Sequence, residues 1–197
     1  LSTAAMTDST EEEQFESWFI NMKKIVVMAS GEGSNFSAIV KEGIKVDQVI
    51  TNNPNANVIK RAKEADISSC LIEPNKNEAR EEYDKRVDWM LGGSGPDSYK
   101  PDLIVLGHAD LISSKTLGNL KNNYPNLKIA QWFLDPLNKN GPDFYKNKKR
   151  ILDKSEYVDC NFLTTSPDVL SFLPNSVKNY YIPNPTDQSF EVLNIFN

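Results

Sequence analysis

The stretch that decides the fold is Lys24-Ile-Val-Val-Met-Ala-Ser-Gly-Glu-Gly-Ser-Asn-Phe-Ser-Ala-Ile-Val40. Its unbroken apolar run over residues 25–28 is typical of a strand that is buried on both faces of a parallel sheet. Two glycines follow this run, and residues 35–42 have a helical pattern. A strand, a glycine turn and a helix in this order predict the first unit of a nucleotide-binding type α/β domain.

The turn itself has the chemistry of an anion-binding loop. Gly31 and Gly33 permit positive φ angles and let backbone N–H groups approach a ligand closely. The N-terminus of the following helix adds unpaired donors and a partial positive charge, and Ser34 and Asn35 add polar side chains. The loop therefore predicts a site for a phosphate or a carboxylate. The alternative that these residues leave open is a tight turn that binds nothing.

The loop matches neither of the two common nucleotide-binding motifs. In the dinucleotide fingerprint, a third glycine stands where this chain has Phe36, and an acidic residue ends the second strand, where this chain has Thr51-Asn52-Asn53. A P-loop needs a Gly-Lys-Ser/Thr triplet, and none follows the glycines here. A dinucleotide site and a P-loop are therefore both excluded.

Strands and helices alternate through the first half of the chain. Strands are predicted at residues 25–29, 46–51, 69–72, 103–106, 128–133, 160–164 and 179–182, and helices at residues 35–42, 58–65 and 78–91. Such alternation forms a parallel sheet with right-handed crossovers. The predicted fold class is α/β, a Rossmann-like, mainly parallel sheet flanked by helices, as a single domain over residues 22–197. Beyond about residue 124, Asn, Pro and Lys become frequent, and long helices are harder to find.

Composition narrows the classes of partner. The 197 residues include 22 Lys and Arg against 27 Asp and Glu, and five of the acidic residues lie in a leader, residues 1–21, that has no basic residue. The rest of the chain is neutral, so we expect no nucleic-acid partner and no membrane partner. No apolar run approaches membrane length, and Cys70 and Cys160 have neither metal spacing nor a disulfide framework. A cytoplasmic setting is the expectation that follows.

Several ordered motifs beyond the loop resemble one family. They are Val49-Ile-Thr-Asn-Asn53, Arg61-Ala62, Ala65-Asp-Ile67, Ala79-Arg-Glu-Glu-Tyr-Asp84 and Pro101-Asp-Leu-Ile-Val-Leu-Gly107. In this order they resemble the glycinamide ribonucleotide (phosphoribosylglycinamide) formyltransferases over residues 23–113, about half of the chain. The resemblance implies a phosphorylated small-molecule substrate, formyl transfer in purine biosynthesis and 10-formyltetrahydrofolate as cosubstrate, with no metal.

The resemblance also implies roles for individual residues. The glycine loop matches the segment that holds the substrate phosphate in the family. Arg80 matches an arginine that helps to place the formyl-folate, and a backbone stretch that lines the pterin pocket is matched by Ala109, Asp110, Leu111 and Ile112. From the residues alone, Arg80 has an alternative role as the helix-surface partner of Glu81 or Asp84.

The resemblance ends after the fifth strand, where the family has its catalytic block. The family uses an Asn that stabilises the oxyanion, a His that acts on the amine nucleophile, and an Asp. This chain has Ile129-Ala-Gln-Trp-Phe-Leu-Asp-Pro-Leu137 there, with no histidine. Trp132 cannot take a proton at neutral pH, and Gln131 offers one oxyanion donor without a base. The later glycine-rich segment that carries the family's Asp is not recognisable either.

Three residues remain as candidates for catalysis. His108, the single histidine, follows a buried strand at the edge where ligands bind in such sheets, and Asp110 is close by. Its alternative is a satisfied polar residue at a strand end, in place of a packing ring. Asp135 follows the fifth strand, which suits a base, but Asp is also a common turn residue in a segment rich in Asn, Pro and Gly.

The second half has a different resemblance. Asp159-Cys-Asn-Phe-Leu-Thr-Thr-Ser166, followed by Tyr181-Ile-Pro-Asn-Pro-Thr-Asp187, is similar to the end of the first domain in two-domain, GT-B type glycosyltransferases. The resemblance implies, as an alternative function, the acceptor-side domain of such an enzyme. Ordinary turns explain the same prolines and serines without it.

A third alternative is a non-catalytic binding or assembly domain that uses the leader. Thr10 is a candidate helix cap there, with Phe15, Trp18 and Phe19 on one face of the predicted helix. The other interpretation of the leader is a disordered tail. Both interpretations of the leader leave homodimer formation open.

Overall fold

The computed structural model describes residues 23–92, 99–107 and 112–182. Within these residues one sheet has seven strands: β1 (Ile25–Ala29), β2 (Gln48–Thr51), β3 (Ser68–Leu71), β4 (Leu103–Gly107), β5 (Lys128–Phe133), β6 (Cys160–Leu163) and β7 (Lys178–Tyr181). The order across the sheet is β3-β2-β1-β4-β5-β6-β7, and every neighbouring pair is parallel. The predicted fold class is confirmed, and so is each of the seven predicted strands, to within about two residues at its ends.

The helices are α1 (Ser34–Lys41), α2 (Asn57–Glu64), α3 (Arg80–Gly92), α4 (Ser114–Asn123) and α5 (Phe144–Leu152), and a short 3-10 helix follows β6 at Pro167–Val169. The first three confirm the predicted helices. α4 and α5 were not predicted, because polar residues or glycine interrupt the apolar stripe of each helix. In α5 the buried side chains are Phe144, Ile151 and the polar Asn147, which interrupts the apolar period.

Two apolar layers cover the two faces of the sheet. On the first, which we call the α1 face, residues such as Val27, Val105 and Ala130 pack with side chains of α1 and α2. On the second, the α3 face, alternate residues of the same strands pack with side chains of α3 and α4. β1 and β4 are buried along their whole length, as their unbroken apolar runs predict.

Aspartates accept backbone hydrogen bonds at the amino edge of the sheet, where the strands begin. Asp47, Asp102 and Asp159 stand just before β2, β4 and β6. One carboxylate oxygen of each accepts a backbone N–H bond, at 2.9 Å in all three cases, from a residue at or next to the start of a neighbouring strand. These side chains hold the strands in register at one edge, so the opposite, carboxyl edge is where a ligand site is expected.

Some predictions fall outside the described residues. They concern the leader with its candidate helix and the Pro-Asn-Pro segment after β7. Within the described residues, none of the helices has the length and apolarity needed to cross a membrane.

Candidate functional site

Gly33 shapes the loop between β1 and α1. Its φ angle is +72°, in the left-handed region that favours glycine. A Cβ at this position would lie 2.7 Å from the Cβ of Val58 and 2.9 Å from its Cα. A side chain is therefore excluded twice, by the backbone conformation and by the close approach of α2. Gly31, in contrast, has no atom within 4 Å of the position that its Cβ would take.

Polar side chains from the neighbouring strand and helix hold the loop. Asn53, which follows β2, donates from Nδ2 to the carbonyl oxygen of Ser30 at 3.1 Å. Asn57, the first residue of α2, donates from Nδ2 to Oε2 of Glu32 at 2.8 Å. Gly33, the residue before α1, has no side chain to cap the first-turn N–H groups of the helix. The bonds from Asn53 and Asn57 fix the conformation of the loop between β1 and α1.

Solvent exposure falls sharply between two consecutive residues at the end of the loop. Ser34 is exposed, whereas the side chain of Asn35 is buried, at 9% exposure. Nδ2 of Asn35 lies 3.8 Å from the position that a Cβ of Gly107 would take, at the carboxyl end of β4. Among the described residues, Oδ1 of Asn35 has no hydrogen-bond partner. A buried acceptor without a donor costs about 1–3 kcal/mol, which a ligand or a water relieves.

Arg80 is committed to an ion pair inside its own helix. Its Nε lies 2.9 Å from Oδ1 of Asp84, one turn along α3. The other oxygen of Asp84 accepts the hydroxyl of Ser113, which also caps α4 through a bond from the backbone N–H of Thr116 at 3.1 Å. The alternative role for Arg80, an ion pair with Asp84, is therefore present, and it links α3 to the start of α4.

The crevice beside the loop is small. Its volume is about 10 Å³, and it is lined by Met28, Ala29, Ser30, Ile50, Thr51, Asn52, Tyr83 and Ile112. Such a volume holds about one water, whereas ligand pockets usually measure about 300–1,000 Å³. Ile112 is buried in the core, and burial raises the pKa of Tyr83, which keeps its phenol neutral. This crevice by itself is too small for a pterin.

The end of β5 places its polar groups away from the loop. Trp132 is buried on the α1 face against Phe162, with ring centroids 6.0 Å apart. Gln131 is on the opposite face, where its Nε2 donates to Oδ1 of Asn161 at 3.5 Å. Asn161 in turn donates to Oδ1 of Asn179 at 2.9 Å. The single oxyanion donor expected at Gln131 is therefore part of a polar row across β5, β6 and β7.

Asp135 is held by α5. One carboxylate oxygen lies 2.7 Å from Nη1 of Arg150, whose guanidinium also lies over the ring of Phe133 at 5.3 Å from its centroid. The remaining predicted residues of the site lie outside the described residues: His108, Ala109, Asp110 and Leu111.

The first part of the chain matches a known family. Residues 23–127 fit the sequence profile described as formyl transferase, which is more than half of the 197 residues. The chain belongs to the formyl transferase family. The glycine loop, α1 to α4 and β1 to β4 lie inside the matched region, and β5 begins just after it. The resemblance of β6 and β7 to GT-B enzymes lies beyond that region and stays a prediction.

Relatives of this family member share its first half. The phosphoribosylglycinamide formyltransferase of Escherichia coli K12 is 33% identical over 114 residues, which are 52% of this chain and 51% of that one. The enzyme of the same name from Bacillus subtilis 168 is 32% identical over 121 residues, 55% and 59% of the two chains. The structure of phosphoribosylglycinamide formyltransferase from Streptococcus pneumoniae TIGR4 is 31% identical, covers 55% of this chain and 54% of that one, and has a TM-score of 0.45. This chain thus spans about half the length of the curated relatives it matches.

Sequence reasoning missed the polar row. Asn161 is fully buried, at 0% exposure, between apolar neighbours in β6. The signal was available, because an asparagine inside a central apolar strand needs buried partners. The partners, Gln131 in β5 and Asn179 in β7, are distant from Asn161 in sequence. Only the register of the sheet identifies them.

Proposed function

We propose that this member of the formyl transferase family binds a phosphorylated small molecule of the glycinamide ribonucleotide type, with its phosphate at Gly31, Gly33, Ser34 and Asn35. The observation that supports this most directly is the uncapped N-terminus of α1 behind the left-handed Gly33. First-turn N–H groups and the helix dipole favour an anion there, and no protein side chain competes for them.

The charges around the loop support the same proposal. The first turn of α1 has no acidic residue, although Asp or Glu is favourable at such a position. Glu32 is the one carboxylate within the loop, and the bond from Asn57 holds it toward α2. A ligand phosphate would therefore supply the negative charge that the helix terminus lacks.

For the formyl donor we propose 10-formyltetrahydrofolate. Membership of the family supports this donor, whereas the small crevice of about 10 Å³ does not. Arg80 would have to exchange Asp84 for a carboxylate of the folate. The folate is therefore the weaker of the two proposed ligands, and it is tested separately.

Formyl transfer requires groups beyond those that bind the phosphate. The attacking amine must lose a proton, so transfer needs a general base near the loop. Among the described residues, Trp132 is in the core and Asp135 is paired with Arg150. We propose His108 and Asp110, which follow β4, as the acid–base groups, on the ground of their place in the sequence.

Calorimetry with glycinamide ribonucleotide tests the binding proposal. We expect the wild-type protein to bind it, and Ser34→Asp to weaken binding by at least about tenfold, because a carboxylate in the first turn repels the phosphate. Ser176→Asp adds the same charge at an exposed site before β7 and should bind as the wild type does. A wild-type protein that binds neither this ligand nor inorganic phosphate would overturn the proposal.

A transfer assay with 10-formyltetrahydrofolate tests the chemistry. We expect formylated product, and a loss of at least about a hundredfold in kcat for His108→Asn with ligand binding kept. Binding without any transfer would reject the acid–base assignment and leave the phosphate site standing.

A further inference from the structure

An aromatic row crosses the α1 face of the sheet at β5, β6 and β7. It consists of Trp132, Phe162 and Tyr180, which are direct partners in the strand register. The ring centroids of neighbours in the row are 6.0 Å and 5.5 Å apart. The three residues are buried, at 6%, 1% and 8% exposure. Because a sheet buries an apolar face only against another element, this row requires a layer above it.

The described helices lie elsewhere. α1 and α2 connect β1, β2 and β3, and α2 packs on β2 and β3. Side chains of α3 and α4 belong to the layer on the α3 face. Ile151 of α5 and Leu170, which follows the 3-10 helix, pack with Phe133 and Leu163, and these strand residues alternate with the aromatic row. Among the described residues, no helix is therefore placed over β6 and β7 on the α1 face.

Two lysines flank the aromatic row at the amino edge of the sheet. Lys128 begins β5 and Lys178 begins β7. Strand alternation places both on the α1 face, because Ala130 and Tyr180, two residues further on, pack there. Lys128 lies 3.3 Å from a carboxylate oxygen of Asp159, whereas Lys178 is exposed and has no ion pair among the described residues. A segment over the row is therefore favoured if it is acidic.

The leader has the composition that this surface requires. Residues 1–21 contain five acidic residues and no basic one, and Phe15, Trp18 and Phe19 have the spacing of one helical face. Acidic and aromatic side chains in one segment match lysines beside an aromatic row.

The leader also joins the sheet at the right edge. Lys23, which follows it closely, donates its backbone N–H to Oδ2 of Asp102 at 3.0 Å, just before β4. β6 is three strand spacings from β1, or about 14 Å. Five residues of extended chain span about 17 Å, so Trp18 can reach the row from Lys23.

Residues 183–197 are a less suitable cover. They contain Phe190 and Phe196, but only two acidic residues. They follow β7 at the carboxyl edge of the sheet, away from Lys128 and Lys178. Charge and the point of attachment therefore both favour the leader.

We propose that the leader docks on the aromatic row of its own chain, with Phe15, Trp18 and Phe19 against the rings of β6 and β7. The leader then forms the missing layer of the α1 face, and its carboxylates lie near Lys178. The proposal is independent of the phosphate site. It assigns the leader's aromatic side chains to the fold, so they are not left for assembly with other proteins.

Labelling of Cys160 with a thiol reagent measures the cover. Cys160 in β6 is fully buried on the α1 face, whereas Cys70 in β3 is half-buried and serves as the internal control. Trp18→Asp places a charge against the row, and we expect Cys160 to be labelled at least about tenfold faster, with Cys70 changed by less than about twofold. Ser17→Asp adds the same charge on the opposite face of the predicted helix and should label as the wild type does. Phe190→Asp should also leave the labelling of Cys160 unchanged.

A photo-cross-link tests the contact in a chain that keeps an aromatic side chain at position 18. With p-benzoylphenylalanine at position 18, we expect cross-links within one chain to Phe162 or Tyr180, mapped by mass spectrometry. The same group at position 17 should give no cross-link to the aromatic row. This measurement decides the matter if Trp18→Asp fails to fold.

Two results would overturn the proposal. Unchanged labelling of Cys160 in a folded Trp18→Asp variant is the first, and faster labelling in Phe190→Asp would then assign the cover to residues 183–197. Cross-links from position 18 that join only two different chains are the second, and they would assign the row to the leader of a second copy.

Discussion

The glycine loop and the end of β5 lie at the same edge of the sheet, but they use different parts of the chain. The loop presents backbone N–H groups, and its geometry depends on a glycine that α2 packs against. At the end of β5 the polar side chains are engaged elsewhere, Gln131 with Asn161 and Asp135 with Arg150. Anion binding through the backbone therefore tolerates sequence change, whereas acid–base chemistry needs particular side chains. For this reason, likeness in the first half supports binding more strongly than reaction.

The largest effect we expect compares the thiols of the two halves. Burial raises the pKa of Cys160 in β6 to about 12, and it raises the pKa of the half-buried Cys70 in β3 as well. At pH 8, a pKa near 12 in place of 9.0 means roughly a thousandfold less thiolate. We expect Cys160 to react with a thiol reagent about a thousandfold more slowly than a free cysteine, with Cys70 in between, as measured by mass spectrometry.

The same pKa sets a stability window. Because the folded protein keeps the Cys160 proton, the contribution of the thiol to stability is complete below pH 9 and is lost as pH rises toward 12. If the thiol reagent labelled Cys160 as fast as Cys70, Cys160 would be accessible to solvent and not buried in β6.

The next largest effect concerns the loop. Gly33→Ala should lower the free energy of unfolding by about 2–4 kcal/mol, from the left-handed backbone and the clash with Val58. Gly31→Ala, where a Cβ meets nothing within 4 Å, should cost less than about 0.5 kcal/mol. Urea denaturation of the two variants checks this. Equal midpoints would show that the loop does not pack against α2.

The polar row gives a smaller effect in the second half. Asn161→Ala leaves Gln131 and Asn179 without their buried partner, and we expect a loss of about 2–3 kcal/mol in the free energy of unfolding. Asn175→Ala, at an exposed position, should be nearly neutral. If Asn161→Ala instead abolished phosphate binding while stability held, the row would belong to the site.

The smallest effect is expected at Asp135. The ion pair with Arg150 is partly exposed, 35% and 21% for the two side chains, so solvent screens it. A double-mutant cycle of Asp135→Asn and Arg150→Gln should give a coupling of about 0.5–1 kcal/mol in urea denaturation. Asp135 would be the base after all if Asp135→Asn stopped formyl transfer with no such coupling.

The predicted strands and the missed helices differ for a physical reason. β1 and β4 are central, and their apolar runs leave little choice of structure. α4 has Gly118 among its buried residues, and α5 has the polar Asn147 among its own, so the apolar period of each helix is interrupted. The candidate site divides in the same way. The glycine loop and the pair of Arg80 with Asp84 are local, whereas the partners of Gln131 and Asp135 are distant in sequence.

The pattern of the sequence predicted the parallel α/β sheet and the glycine turn between β1 and α1, because apolar runs, glycines and a helix start act over neighbouring residues. The positions of the polar side chains in the second half depend on how the strands pair in three dimensions. The register of β5, β6 and β7 places Gln131 in the polar row. The register of β4 and β5 places Trp132 beside Gly107. Side chains on adjacent strands meet through contacts between residues that are distant in sequence, and the spacing of residues along one strand does not contain that information.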